Sequence, residues 1–208
     1  MTFSDFKDKI TTIKTSNLGG LNAQFKLAPK MRLKYNAEKI KARQPKVAAV
    51  LALFYPDDHN NMCFLLTQRA HYKGTHSAQI SFPGGKIDAV DNCLEETALR
   101  ETFEEVGIAE KEITVLRELT DVYIAPSNFL ATPFIAYADE KLVFKKNYEV
   151  AKTINVLVSD LLNDKTITTT FINNTYLKNE TVPCFLLNNT VVWGATAMIL
   201  SEIKELLK

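Results

Sequence analysis

Three glutamates, Glu101, Glu104 and Glu105, are spaced so that they could act together on one metal ion. Each residue of an α-helix turns the chain by about 100°, so the three carboxylates fall on one side, within a wedge of roughly 100°. Like charges this close repel one another, and a bound cation would relieve that repulsion. Oxygen ligands without His or Cys suit Mg2+ or Mn2+. The spacing predicts a site for such an ion, with a solvated helix face as the alternative.

The residues around these glutamates carry the signals that begin and end a helix. Asn92 is the predicted N-cap, and Glu95 three residues later completes a capping-box pattern. Gly107 is predicted to end the helix after Val106, because glycine readily adopts the left-handed conformation found there. The side opposite the glutamates is expected to pack on a sheet through apolar residues: Leu99, Phe103 and Val106.

The flanking residues favour a functional site over a solvated face. A loop with Gly84 and Gly85, followed by Lys86, precedes the helix, and the pattern Arg-Glu-x-x-Glu-Glu-x-Gly-apolar closes it. Arg100 directly precedes Glu101, where its guanidinium could pair with a neighbouring glutamate and fix that side chain. Together these features predict a catalytic segment.

The chain divides by composition at about residue 45. Residues 1–45 are a predicted basic lead-in, in which 2–14 have the spacing of an amphipathic helix. Residues 46–208 form the predicted main domain. Many strands and few helices in mixed order indicate an α+β domain with helices on a central mixed β-sheet.

The strand pattern begins with a hairpin of 47–55 and 62–68. Further strands are predicted at 79–82, 113–119, 130–138, 154–158, 166–171, 182–187 and 191–193. Helical turns are predicted near 159–163, and a helix over 195–207 ends the sequence. Trp193, at the start of that helix, is expected to be a packing aromatic rather than a platform for adenine.

Composition favours a cytoplasmic protein outside the membrane. Hydrophobic residues make up 46% of the chain, and no apolar run approaches the roughly 20 residues that span a bilayer. The first residues lack the apolar run of a secretory signal. The three cysteines are odd in number and widely spaced, which suits reduced thiols.

Charge is unevenly distributed along the chain. Residues 1–46 hold 11 Lys/Arg and 3 Asp/Glu, whereas the remainder holds 14 and 21. A basic arm suits a phosphate-rich ligand, although a solvated arm explains the charge equally well. The basic segment lacks interleaved aromatics and a known reader motif, so no nucleic-acid partner is predicted.

The segment 85–108 resembles the Nudix box, Gly-x5-Glu-x7-Arg-Glu-U-x-Glu-Glu-x-Gly-U, where U is aliphatic. From Arg100 to Ile108 it matches except at Thr102. In the first half, Asp91 stands for the glutamate, and eight residues rather than seven separate it from Arg100. The family resemblance implies a Nudix-type α/β/α sandwich.

One branch of the family, the coenzyme A pyrophosphatase group, has the same spacing from the Gly to the Arg of the box and an Asp in place of the first Glu. Its upstream motif is Leu-Leu-Thr-x-Arg-Ser-x3-Arg-x3-Gly-x3-Phe-Pro-Gly-Gly, and residues 65–85 keep this spacing. Gly74 replaces the motif's second Arg and Ala78 its Gly, while the nearby Lys73 could supply the missing charge. Segments 123–129 and 132–134 are similar as well, so the resemblance covers about 43–195.

The resemblance implies hydrolysis of a diphosphate bond in a small nucleotide-like molecule with Mg2+ or Mn2+. Glu101 and Glu105, then Glu104, are the predicted metal ligands, with a backbone carbonyl near Gly84 or Gly85. The predicted catalytic residues are these glutamates and Arg100; the predicted substrate contacts are Arg69, Lys73, Gly84 and Lys86. The general base is one of the glutamates or an acidic residue from a distant loop, for which Glu149 is a candidate.

Three functions remain open. The preferred one is cleavage of coenzyme A or its thioesters to 3′,5′-ADP and 4′-phosphopantetheine, in which the basic arm could help with the 3′-phosphate. The second is hydrolysis of ADP-ribose, dinucleotides or modified nucleoside triphosphates, since the box is shared across such substrates. The third is a non-catalytic ligand sensor. A homodimer is compatible with the sequence.

Overall fold

A computed structural model of the chain describes residues 1–70, 79–173 and 177–208. In these ranges the α-helices are α1 Phe3–Thr15, α2 Gly20–Phe25, α3 Ala37–Ala42, α4 Leu94–Val106, α5 Val158–Leu162 and α6 Gly194–Leu207. The strands are β1 Lys46–Pro56, β2 Met62–Arg69, β3 Ile80–Ser81, β4 Gly84–Lys86, β5 Thr114–Glu118, β6 Val122–Ile124, β7 Phe129–Tyr137, β8 Val150–Leu157, β9 Ile167–Ile172, β10 Glu180–Leu187 and β11 Thr190–Trp193. No helix in these ranges is long and apolar enough to cross a membrane.

Eight strands form a central mixed sheet around β1. This strand pairs parallel with β7 and antiparallel with β2 and β4. Strands β5 and β6 extend the sheet beyond β7, and β3 and β8 extend it beyond β2. The predicted hairpin of β1 and β2 is confirmed, whereas the short strands β4 and β6 were not predicted. Strands β9, β10 and β11 form a separate three-stranded sheet.

Helices cover both faces of the central sheet. Side chains on a strand alternate between the two faces, so the apolar strands present apolar side chains on both of them. On β1, Phe54 belongs to a core shared with α1, α5 and α6. The adjacent Leu53 belongs to a second core, shared with α4. The predicted α/β/α sandwich with a mixed sheet is therefore confirmed.

The lead-in segment packs against the sheet. Phe6 and Ile13 of α1 are fully buried, and the Phe6 ring lies 5.3 Å from that of Phe54. Arg117 of β5 donates from Nη1 to the carbonyls of Ile13 and Ser16 at the end of α1. The division at residue 45 stays a prediction, and α1 shares its core with the domain that follows.

A buried carboxylate ties α2 to α6. Glu202 of α6 accepts hydrogen bonds from the Gly20 backbone N–H at 3.0 Å, from Gln24 Nε2 at 3.0 Å and from Thr120 Oγ1 at 2.6 Å. Three donors compensate the loss of water around the carboxylate. The contacts fix the chain just before Pro29, Met31 and Arg32, which line the candidate site described below.

Candidate active site

Helix α4 carries the glutamates and lies on one face of the sheet. Leu99 and Val106 are buried as predicted, and the buried side centres on Thr102, whose hydroxyl donates to the Ala98 carbonyl at 2.7 Å. The packing predicted for Phe103 is wrong, because this residue is 57% exposed. It lies about 100° around the helix from Thr102, at the edge of the buried side.

The start of α4 also differs from the prediction. Cys93 rather than Asn92 is the N-cap, and no side chain caps it. Glu95 takes no part in a capping box; instead Glu96 accepts from the Asn92 backbone N–H at 2.7 Å and from its side-chain amide at 2.9 Å. Gly107 ends the helix in the left-handed conformation, with φ 76°, as predicted.

Two glycines allow the backbone of β4 to approach both β1 and α4. A Cβ on Gly84 would lie 2.3 Å from the carbonyl oxygen of Ala49. A Cβ on Gly85 would lie 2.5 Å from the carboxylate of Glu101. Only a residue without a side chain leaves room for this carboxylate. Burial there raises the pKa of Glu101.

Arg100 connects the glutamates to the loop before the helix. Its Nε and Nη2 donate to the two carboxylate oxygens of Asp91 at 2.8 and 2.9 Å, and Nη2 also donates to the Lys86 carbonyl. Its Nη1 donates to Glu101 at 3.0 Å and to Glu104 at 3.2 Å. The Arg100 bonds hold the pKa of Asp91 well below its ordinary value. The predicted pairing of Arg100 with neighbouring glutamates is confirmed, and Asp91 fixes the guanidinium that makes it.

Glu105 is buried beside two further charged groups. It is 3% exposed, and its Oε1 lies 3.5 Å from Nη1 of Arg69 at the end of β2. Nη2 of Arg69 lies 3.5 Å from Oε2 of Glu149. Burial raises the pKa of Glu105 to about 7; Arg69 lowers it, while Glu101 and Glu149 raise it further. A pKa perturbed by both burial and nearby charge is typical of functional sites.

Backbone contacts place Glu149 next to α4. The Asn147 N–H donates to the Glu105 carbonyl at 3.0 Å, and the Glu149 N–H donates to Asn147 Oδ1 at 2.8 Å. The Ala70 N–H donates to the Glu149 carbonyl at 2.7 Å. Sequence spacing carries no signal for this approach, because Glu149 lies 44 positions after Glu105 in the chain.

The glutamates have the donor chemistry for a divalent cation, although their side chains do not converge on one point. In the part of the chain that the structure describes, no three acidic, His or Cys side chains are grouped as ligands; Arg100 pairs with Glu101 and Glu104, and Arg69 pairs with Glu105. Mg2+ commonly binds one or two carboxylates together with waters and substrate oxygens. Glu101, Glu105 and the Gly85 carbonyl supply the oxygen donors that suit this ion.

A cavity of about 540 Å³ lies beside the glutamates, within the range of small-molecule sites. Arg100 does not line it, whereas eight of the charged and glycine residues predicted from the sequence do: Arg69, Gly84, Gly85, Lys86, Glu101, Glu104, Glu105 and Glu149. Its apolar wall includes Tyr123, Phe129 and Trp193, so Trp193 faces the cavity. Met31 and Arg32 of the basic lead-in segment also line it, although no residue of this segment was singled out from the sequence as a site residue.

Lys73 lies outside the described residues, as do Gly74 and Ala78. The substrate contact predicted for Lys73 therefore stays a prediction.

The fold and site define a class of enzyme, one that hydrolyses phosphate anhydrides with the help of a divalent cation. Comparison with known proteins agrees. The NUDIX domain family matches residues 45–156. The uncharacterized Nudix hydrolase NudL of Yersinia enterocolitica is 32% identical over 142 residues, which are 68% of this chain and 72% of the relative. NudL of Yersinia pestis is also 32% identical over 142 residues, 70% of its length.

The chain belongs to the Nudix hydrolase family, enzymes that act on pyrophosphate bonds and generally use divalent ions such as Mg2+. Among solved structures, a MutT/nudix family protein from Enterococcus faecalis has a TM-score of 0.54 at 13% identity. The match covers 86% of this chain and 75% of that protein, and it shows a shared fold.

Proposed function

We propose that this Nudix hydrolase cleaves the diphosphate of coenzyme A or its thioesters, giving 3′,5′-ADP and (acyl-)4′-phosphopantetheine. The observation that carries the proposal is the position of Arg69, the first arginine of the coenzyme A-type motif. It lies at the end of β2, lines the cavity and faces both Glu105 and Glu149. The motif thus contributes a cation directly beside the catalytic glutamates.

The residues divide into three roles in this reaction. Glu101 and Glu105, with the Gly85 carbonyl and Glu104 nearby, would hold Mg2+ or Mn2+, and the bound ion would neutralise charge that develops on the diphosphate oxygens. Arg100, which Asp91 holds in place, fixes Glu101 and Glu104 by donating to both. The guanidinium of Arg69 suits a phosphate oxygen because it donates several hydrogen bonds in one plane.

Glu149 is the proposed general base. It lines the cavity, lies across Arg69 from Glu105 and is not one of the proposed metal ligands. A carboxylate in this position can accept a proton from the attacking water. Lys86 and Gly84, which line the same cavity, are proposed substrate contacts. A cytoplasmic location and a homodimer stay predictions.

The test is a substrate panel with Mg2+ or Mn2+: coenzyme A, acetyl-coenzyme A, ADP-ribose, NADH, diadenosine polyphosphates and 8-oxo-dGTP, with the products resolved by mass. Glu105→Gln should lower turnover by more than about 100-fold, since metal stabilisation of developing charge supplies several kcal/mol. Glu95→Gln is the matched control, because Glu95 is exposed on the same helix and does not line the cavity.

The outcomes separate the family from the substrate. Fastest release of 3′,5′-ADP from coenzyme A compounds supports the proposal. Faster turnover of ADP-ribose, a dinucleotide or a modified triphosphate would retain the Nudix chemistry and refute coenzyme A as the substrate. Glu149→Gln should lower kcat more than it weakens Mg2+ binding; an unchanged kcat would remove Glu149 as the base.

A further inference from the structure

Arg32 is a buried cation for which the described residues supply no acidic partner. It is 6% exposed, and none of the ion pairs in the described ranges includes it. Burial lowers the pKa of its guanidinium, as expected for a charge removed from water. An unpaired buried charge is strongly unfavourable, so proteins retain one where a ligand or partner compensates it.

The guanidinium also has few hydrogen-bond acceptors. It carries five N–H donors, of which Nη1 donates to the Tyr35 carbonyl at 2.9 Å, while Nε is buried without a partner in the described residues. The rings of Phe25 and Tyr123 lie 5.3 and 5.8 Å from the guanidinium carbon. These rings hold the planar group in place, but they do not provide a counter-charge.

Arg32 lines the same cavity as the glutamates of α4, at a distance from them. Strands β1 and β7 separate β4, on which Glu101 rests, from β6, which carries Tyr123 beneath Arg32. Three strand spacings amount to about 14 Å, so a ligand that reaches both ends is larger than a diphosphate alone. Ser127, whose buried hydroxyl has no partner within the described ranges, also lines this cavity.

The fold holds Arg32 in this position through several contacts. The backbone N–H of Arg32 donates to the Pro29 carbonyl at 2.9 Å. Asn128 accepts from the Tyr123 hydroxyl at 3.0 Å and donates to the Arg43 carbonyl at 2.9 Å, which ties the β6–β7 loop to the lead-in segment. On the other side, the bonds to Glu202 fix α2. The guanidinium is therefore part of the built wall of the cavity.

We propose that Arg32 binds a phosphate group of the substrate that is not part of the cleaved diphosphate. A phosphate supplies the missing charge, and its oxygens match the planar donors of a guanidinium. The inference rests on the proposed function, in which this group is the 3′-phosphate of coenzyme A. It makes the lead-in segment part of the active site and Arg32 a determinant of substrate specificity.

The first experiment compares kcat/KM for coenzyme A and 3′-dephospho-coenzyme A. The wild-type protein should prefer coenzyme A, and this preference should be about 10- to 100-fold smaller in Arg32→Met, the size expected for loss of a hydrogen-bonded charge. The change should come chiefly from a higher KM for coenzyme A. Arg32→Lys should restore part of it. Arg43→Met is the matched control: Arg43 packs on the Tyr35 ring at 5.4 Å but does not line the cavity, so the preference should stay within about twofold.

The second experiment measures binding without hydrolysis, by calorimetry with Mg2+ and either adenosine 3′,5′-bisphosphate or AMP. Tighter binding of the bisphosphate that disappears in Arg32→Met supports Arg32 even if coenzyme A proves not to be a substrate, which separates this inference from the proposed function. Equal loss for both ligands, or no loss, would show that Arg32 only packs and would overturn it. If Arg32→Met does not fold, Arg32→Gln provides the same two comparisons.

Discussion

Replacing Glu105 by Gln should stabilise the metal-free protein at neutral pH while it abolishes activity. Glu105 is 3% exposed, and burial raises its pKa from 4.5 to about 7. One pKa unit corresponds to about 1.4 kcal/mol, so the ionised carboxylate lowers the free energy of unfolding by about 3 kcal/mol relative to its protonated form. Glutamine keeps the shape of the side chain and removes the charge. The gain in Glu105→Gln should approach about 3 kcal/mol.

The gain in stability of Glu105→Gln over the wild-type protein should increase with pH. Between about pH 4.5 and 7 the unfolded chain has lost the Glu105 proton, while the folded protein still binds it. Folding then takes up a proton, so the stability of the wild-type protein falls as the pH rises through this window. The difference between variant and wild type should therefore be near zero below pH 4.5 and largest above pH 7.

Urea unfolding in EDTA, from pH 4 to 8.5, measures this difference. Glu104→Gln is the matched control, because Glu104 lies on the same helix with its side chain 53% exposed; its unfolding free energy should change by less than about 1 kcal/mol. With Mg2+ at about 100 times its Kd, the wild-type protein should regain about 2.7 kcal/mol and Glu105→Gln much less. If Glu105→Gln is no more stable than the wild-type protein above pH 7, the argument that the buried, ionised Glu105 carboxylate destabilises the fold is refuted.

Three further predictions follow from single contacts. Gly85→Ala should lower kcat by about 10- to 100-fold, because the new Cβ would lie 2.5 Å from the Glu101 carboxylate and displace it; steady-state kinetics will measure this. Asp91→Asn should lower activity by about 10- to 100-fold by weakening the bonds to Arg100. Below about pH 4, Asp91→Asn should also lose less stability than the wild-type protein. The lowered pKa of Asp91 means that its ionised carboxylate stabilises the folded wild-type protein, and this contribution is lost as the pH falls. Phe6→Ala should reduce the free energy of unfolding by about 3–5 kcal/mol, measured in urea, because this ring is fully buried.

Each of these predictions has a contradicting result. Full activity in Gly85→Ala would mean that Glu101 does not need to rest on β4. Equal acid sensitivity of Asp91→Asn and wild type would mean that the Asp91–Arg100 pair does not contribute to acid stability. A change below about 1 kcal/mol in Phe6→Ala would show that α1 is not part of the domain core.

The chemistry-bearing residues of α4 could be predicted because helical spacing is a local property. Three glutamates at 101, 104 and 105 share a side whatever the helix packs against, and Gly107 ends it. The orientation of the helix was less predictable. Phe103 has an apolar side chain and yet lies at the edge of the buried side, which centres on the fully buried Thr102.

Sequence alone also determined the β1–β2 hairpin and the mixed sheet, since long apolar strands with a polar turn between them have few ways to bury themselves. It did not predict β4 and β6, which are three residues each and form only against their neighbours. Only the tertiary structure brought Glu149 to Glu105 and Arg32 into the cavity wall. These contacts join residues that are tens of positions apart. They depend on how β8, α2 and α6 pack, and no local pattern in the sequence predicts that packing.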